Sequence, residues 1–215
     1  MVHTGLYHVK YLCYIIAPMN TSKIVAASGA TEVRDRILET ASALFYSQGV
    51  RAVGVDLVAE QARVAKTSLY RHFGTKDDLI AAFLQREDED FWQHWDRVGQ
   101  RHADDPVAEL DAHFRWIGER VERPNYRGCP QINVAAEFPD QDHPARKVAY
   151  AHKLELRRRL KGIAERLQAK RPDELAGQLA LFINGAFVSA QIFVAGEATG
   201  LLIATARAIV AAARD

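Results

Sequence analysis

From Thr31 onward the apolar residues fall at helical spacing, and no stretch bounded by turn residues alternates as a strand does. Ile37, Ala41, Leu44 and Phe45 recur at i, i+4, i+7 and i+8, which is one face of a helix. Thr31 suits its N-cap, Glu32 its first turn, and Gly49 the left-handed position that ends it. Short helices are predicted over about 55–62 and 66–72. Thr75-Lys76-Asp77-Asp78 has the form of a capping box and opens a long helix through Leu79, Ile80, Phe83 and Leu84. Asp104-Asp105-Pro106 sets a proline just inside the next helix, which runs through Leu110, Phe114 and Ile117. Residues 124–128 and 139–144 read as loops. A charged helix is predicted over about 145–170, another starts at Arg171-Pro172-Asp173, and Gly196 or Gly200 separates it from the last. With no internal repeat, the fold class is all-α.

The stretch from Val55 to Phe73 sets two short helices around a tight turn, the outline of a helix-turn-helix. Ala59 is small where the second helix must approach closely, and Val64 is an apolar plug after the turn. Leu69 and Phe73, four apart, face the core together. Lys66, Thr67, Ser68, Tyr70, Arg71 and His72 are left for the outer face. Arg63, Lys66, Arg71 and Lys76 lie here with no acid between Arg63 and Lys76, which favours DNA over a plain solvated surface. Thr67 and Ser68 carry short hydroxyls for a base edge or a phosphate, and Arg71 has the chemistry to read guanine. Lys66 stands at a helix N-terminus, where the dipole disfavours a cation unless a phosphate offsets it. Lys76, beside the free amides of the next helix, forms an anion site. Arg34, on the first helix, is a further phosphate candidate.

Composition narrows the alternatives. The chain has 215 residues, 48% hydrophobic and 26% charged, with a net charge of +1. That balance is globular, so a nucleic-acid partner has to be argued from local pattern. Two cysteines, Cys13 and Cys129, are too few for a disulfide framework and form no C-x-x-C pair. Cys129 has only Arg127 nearby to activate it and reads as a buried, inert thiol. Residues 1–30 read as a disordered leader. The apolar run over 11–17 is too short to span a bilayer and lacks a signal-peptide cleavage pattern, and Met19 offers a second translation start. No membrane association is expected, and the expected location is the cytoplasm.

On these residues the chain resembles the tetracycline-repressor (TetR) family of one-component regulators, over about residues 31–85. The resemblance is carried by Leu44-Phe45-Tyr46-Ser47-Gln48-Gly49-Val50, by Val58-Ala59, and above all by Leu69-Tyr70-Arg71-His72-Phe73-Gly74-Thr75-Lys76-Asp77-Asp78-Leu79. It implies a DNA-binding domain over 31–85, with its helix-turn-helix motif at 55–73. It also implies a ligand-binding and dimerisation domain over 86–215. It further implies a homodimer that leaves a palindromic operator in double-stranded DNA when a small-molecule effector binds. Tyr70 and His72 match phosphate contacts in the family pattern. Two positions depart from it: Arg63 stands where the family usually has Gly, and Ala65 where it often has an N-capping Ser. A non-Gly residue at positive φ costs about 1–2 kcal/mol and a lost N-cap about 1 kcal/mol. Arg63 is expected to compensate by reaching a phosphate.

In the C-terminal part, Trp92, Trp95, His113, Trp116, Phe138 and Phe187 are the candidate pocket residues, since apolar walls with a few polar groups suit a small molecule. Ordinary core packing is the alternative for each of them. The last two helices carry Ala176, Ala180, Gly185, Ala186 and Ala190 among Leu179, Phe182, Ile183 and Phe187, then Leu201, Thr205, Ala208, Ile209 and Ala212. Small residues at that spacing permit close helix approach and suit a four-helix dimer interface. No cofactor or catalytic motif is found. Asp140, Asp142 and His143 are weighed as a metal site but read better as a polar loop. A helical enzyme or metal protein, and a DNA-binding activator or partner-regulated protein without a small ligand, are the competing readings.

Overall fold

A computed structural model describes residues 29–214. The leader expected over 1–30 lies outside them, apart from 29 and 30, where the first helix begins. The elements are α1 (Gly29–Gln48), α2 (Val55–Gln61), α3 (Lys66–His72), α4 (Lys76–Arg101), α5 (Pro106–Val121), α6 (Pro130–Glu137), α7 (Pro144–Arg166), α8 (Pro172–Val188) and α9 (Ala198–Arg214). A single 3₁₀ turn, Ala190–Ile192, follows α8. No strand occurs among the described residues, so the chain is all-α.

Local chemistry sets these boundaries. Proline opens α5, α6, α7 and α8, where its fixed φ suits the first turn and its missing N–H costs nothing. Thr75 and Asp78 form the complete capping box of α4. Asp105 caps α5 through the amides of Val107 and Ala108. Gly49 ends α1 at φ 91°. One boundary differs from expectation: α1 is already helical at Gly29, so Thr31 stands inside its first turn and not at its N-cap.

Two hydrophobic cores share one long helix. The first gathers Ile37, Phe45, Val58, Leu69 and Phe73 from α1 to α3 with Leu79 to Leu84 of α4, and takes in Val134 of α6 and Ala145 and Ala149 of α7. The second gathers Phe91 and Trp95, further along α4, with Phe114, Ile117, Leu156, Leu160, Leu179, Ile183 and Leu202. α4 therefore runs from the first core into the second. α5 and α9 pack so closely that a Cβ on Gly118 would stand 2.6 Å from Cα of Thr199. Only glycine permits that approach.

The α8 residues expected at a dimer surface are mostly turned inward. Ala176, Leu179, Ile183, Ala186 and Phe187 are buried within the chain, because α8 packs on α7 and α5. The apolar side chains that face outward are Leu181, Val188, Ile192 and Val194, joined by Leu201 on α9.

Candidate nucleic-acid interface and regulatory cavity

The turn between α2 and α3 is built around Arg63. Its φ is 53°, the left-handed conformation where the family pattern has glycine. Its N–H donates to Glu60 O, and that of Val64 donates to Ala59 O, closing a Schellman motif on α2. Arg36 of α1 adds a bond from its Nε to Ala62 O at 2.9 Å. α3 then starts at Lys66 from an extended Ala65, which offers no side-chain cap. Leu69 and Phe73 anchor α3 in the core, and Lys66, Thr67, Tyr70 and Arg71 face outward. Ser68, His72 and Lys76 are half-buried at the edge of that face. Arg34 is exposed and lays its guanidinium over the Phe73 ring at 5.0 Å, next to the C-terminal end of α3. The expected DNA-facing residues thus lie on or around α3.

One charge is not free. Lys66 Nζ sits 2.8 Å from Asp56 Oδ1, in the first turn of α2. That carboxylate raises the lysine's pKa and offsets the helix dipole without a phosphate. At the start of α4 the capping box uses the Asp78 amide and leaves those of Lys76 and Asp77 outside the helix's own bonding. Asp77 faces His143 Nε2 at 3.4 Å.

Of the expected pocket residues, the second core brings together Trp92, Trp95, Trp116, His113 and Phe187. Trp95 stacks on His113 at 3.7 Å and Trp116 on His94 at 4.1 Å, and Phe91 touches all three tryptophans. Phe138 is not among them. It packs with the first core, stacked on His143 at 3.8 Å and under Arg51 at 5.4 Å, because α6 carries it away from Phe187 toward α1. Most of the cluster is solid packing. The cavity lies at its edge, lined by Glu87, Phe91, Arg120, Cys129, Pro130, Gln131, His152 and Phe187. About 10 Å³ of it is open to the centre of a water molecule, room for about one water.

Polar groups surround this cavity. Arg120 reaches Glu87 at 3.7 Å, and burial nevertheless raises the Glu87 pKa. His152 Nδ1 lies 2.5 Å from Asp88 Oδ1, and burial lowers the imidazole's pKa. Gln131 donates from Nε2 to Leu84 O at 3.0 Å. The Cys129 thiol is buried, 3.8 Å from Lys153 Nζ, which donates to Asn184 Oδ1 at 2.7 Å. Sequence reasoning missed Glu87 and Arg120 and did not single out Gln131 or His152 as candidate pocket residues. They stand on four different helices, α4, α5, α6 and α7, and meet only when those helices pack.

Similarity to known proteins agrees with this geometry. Residues 37–83 match the family model for bacterial regulatory proteins of the tetR family. The HTH-type transcriptional repressor Rv3405c of Mycobacterium tuberculosis is 29% identical over 179 residues, 74% of this chain and 89% of the relative. SCO4454, a TetR-family transcriptional regulator from Streptomyces coelicolor, superposes with a TM-score of 0.80 at 25% identity, covering 86% of this chain and 97% of that one. The TetR-type regulator sav143 of Streptomyces avermitilis reaches 36% identity across 84% of this chain and 97% of its own, with a TM-score of 0.72. The chain belongs to the TetR family. It is a DNA-binding transcriptional regulator of the helix-turn-helix type and not an enzyme.

In this TetR-family chain the residues weighed as a metal site hold a loop instead. Asp140 and His143 serve the loop before α7: Asp140 Oδ1 accepts from the Asp142 amide, and His143 Nδ1 caps α7 through the Ala145 amide. No group of three metal-ligating side chains is gathered among the described residues. No helix among them is long and apolar enough to cross a membrane.

Proposed function

We propose that this chain is a dimeric repressor that a small effector releases from a palindromic operator. In this reading residues 31–85 bind DNA and residues 86–215 hold the effector and the dimer face. Thr67 and Arg71 reach base edges, Ser68 stands where it can reach either a base or a phosphate, and Arg34, Arg63, Tyr70, His72 and Lys76 meet phosphates. Lys66 exchanges Asp56 for a phosphate as the helix docks.

One observation carries the regulatory part. α6 touches the cavity at one end and the DNA-binding helices at the other. Gln131 lines the cavity and bonds the backbone of α4 at Leu84. Six residues on, the Glu137 carboxylate accepts the amides of Val50 and Arg51 in the turn after α1. Just before α6, the Tyr46 hydroxyl accepts from the Arg127 amide and donates to Gly128 O. A ligand that displaces Gln131 must move α6, α4 or both, since packed helices shift as units. Two recognition helices have to stand about 34 Å apart to enter successive major grooves, so such a shift lowers operator affinity.

The second copy is assigned to the outward face of α8 and α9. Leu181, Val188, Ile192 and Leu201 are exposed there, and Ala204 and Ala208 leave room for a facing helix. Sedimentation of the chain with a bound duplex tests the reading. Two chains per duplex are expected, and Leu181→Glu is expected to reduce that to one with weaker binding. One unmodified chain per duplex overturns it.

A further inference from the structure

Two hydrogen-bond acceptors at the cavity have nothing to accept. Gln131 and His152 line it, each only 2% exposed. Among the described residues neither Gln131 Oε1 nor His152 Nε2 has a partner. The identity of both atoms is fixed by their other halves. The Gln131 amide must turn its NH₂ toward Leu84 O, because the reverse would set two oxygens together, so Oε1 is the spare atom. The His152 ring gives its Nδ1–H to Asp88 Oδ1, which leaves a lone pair on Nε2. Burial, the largest influence on this imidazole, favours its neutral form and so keeps Nε2 an acceptor.

Buried acceptors without donors are costly and rare in folded proteins. The rest of the lining pairs Glu87 with Arg120 on one side and sets Phe91, Cys129, Pro130 and Phe187 on the other. Phe91 and Phe187 face the cavity, and Trp92 lies against His152 with ring centres 4.9 Å apart. Resting on the effector reading above, we propose that this cavity takes a small aromatic molecule bearing hydroxyl or amino donors. Gln131 Oε1 and His152 Nε2 accept those donors, and the aromatic ring lies among Phe91, Trp92 and Phe187. The ligand enlarges the narrow, water-sized space as it enters. Gln131 is then a specificity residue that also transmits, because its Nε2 holds the α4 backbone. A donor drawn to Oε1 pulls directly on the side chain that joins α6 to α4.

The class is tested by a matched pair of probes on the unmodified full chain, resorcinol and its dimethyl ether 1,3-dimethoxybenzene. They share a ring and differ in having or lacking donors. Calorimetry and tryptophan emission are read together, since Phe91 lies 4.9 Å from both Trp92 and Trp116. Resorcinol is expected to bind at least about tenfold more tightly than the ether, because the ether leaves both acceptors unpaired. Gln131→Met is expected to narrow that ratio by about threefold or more while leaving the ether's affinity nearly unchanged. Equal binding of the two probes, tighter binding of the ether, or no heat and no emission change with either overturns the proposal and leaves a single water as the occupant. The comparison on the unmodified chain stands alone if Gln131→Met does not fold. Repeating the resorcinol titration with saturating duplex separates the two readings. Donor-dependent binding that DNA does not alter keeps the ligand class and sinks the effector role.

Discussion

The Glu137 carboxylate accepts the amides of Val50 and Arg51, at 3.3 and 3.0 Å, across 87 and 86 residues of chain. It also stands 3.4 Å from where a Cβ on Gly49 would lie. Hydrogen bonds to a charged group contribute about 1.5–3 kcal/mol. The lower end applies here, since Arg51 is exposed. Glu137→Ala is therefore expected to lower stability by about 1–2 kcal/mol in urea unfolding. It is also expected to shrink the effect of any effector on DNA affinity, because the contact between α6 and α1 is cut. A variant as stable as the parent and fully responsive would show that this contact transmits nothing.

Arg63 gives a prediction with opposite signs in two assays. Its φ of 53° suits glycine, so Arg63→Gly is expected to raise stability by about 1 kcal/mol. The same change removes a cation from the DNA face and is expected to weaken duplex binding. Urea titration and a gel shift on one preparation check both. Stabilisation with undiminished binding would leave Arg63 without a phosphate contact.

Much of the fold was legible because its boundaries are written in short-range chemistry. The capping box at Thr75 and Asp78, Pro106 at the first turn of α5, and the spacing of Leu69 and Phe73 each act within a few residues. α6 was not predicted. Its residues Ile132, Val134, Ala135 and Ala136 follow a loop and show little polar contrast, so no amphipathic stripe marks them. Asp56 as the partner of Lys66 was hidden for a related reason: the pair forms only when α2 and α3 fold against each other. The aromatic residues of the C-terminal part drew attention because they are large, yet most of them are packing. The cavity's polar lining comes from Glu87, Arg120, Gln131 and His152, which in sequence look like any other polar residues on a helix. Phe138 was grouped with the pocket as one more large apolar side chain of the C-terminal part, and α6 carries it to the first core instead.

Lys76 stands at the N-terminus of α4, off the recognition helix. Lys76→Ala is expected to weaken binding about equally on all duplexes and to lower the salt slope by about one. Thr67→Ala and Arg71→Ala, on α3, are expected to change which bases are preferred. Binding to a panel of duplexes at several salt concentrations separates these effects. An altered base preference in the Lys76 variant would contradict its assignment to phosphate.

Acid is expected to destabilise the fold from near neutrality downward. Burial lowers the pKa of His113 and His152 and takes His94 to about 4, so the folded state resists protons that the unfolded chain binds near 6.5. Stability from this source is fully present above 6.5 and falls as pH drops toward 4. Glu155, held at about 2 by Arg158 and Arg159, adds a loss that begins below its ordinary value of 4.5. Glu87, raised by burial, works the other way above 4.5 but is one group against three imidazoles. Urea midpoints from pH 8 to pH 5 are expected to be flat and then to fall below about 6.5. A midpoint that rises over that interval would contradict these assignments.

The central claim is that two copies of this chain present their α3 helices to successive major grooves of one duplex. Selection of bound sequences from a random duplex pool, using the full chain, tests it most directly. The predicted result is a palindrome whose half-sites are centred about one helical turn, about 34 Å, apart or a multiple of it. Its base preference should be altered by Arg71→Ala and not by Lys76→Ala. Enrichment of asymmetric sites alone, or no enrichment over the starting pool, would contradict it.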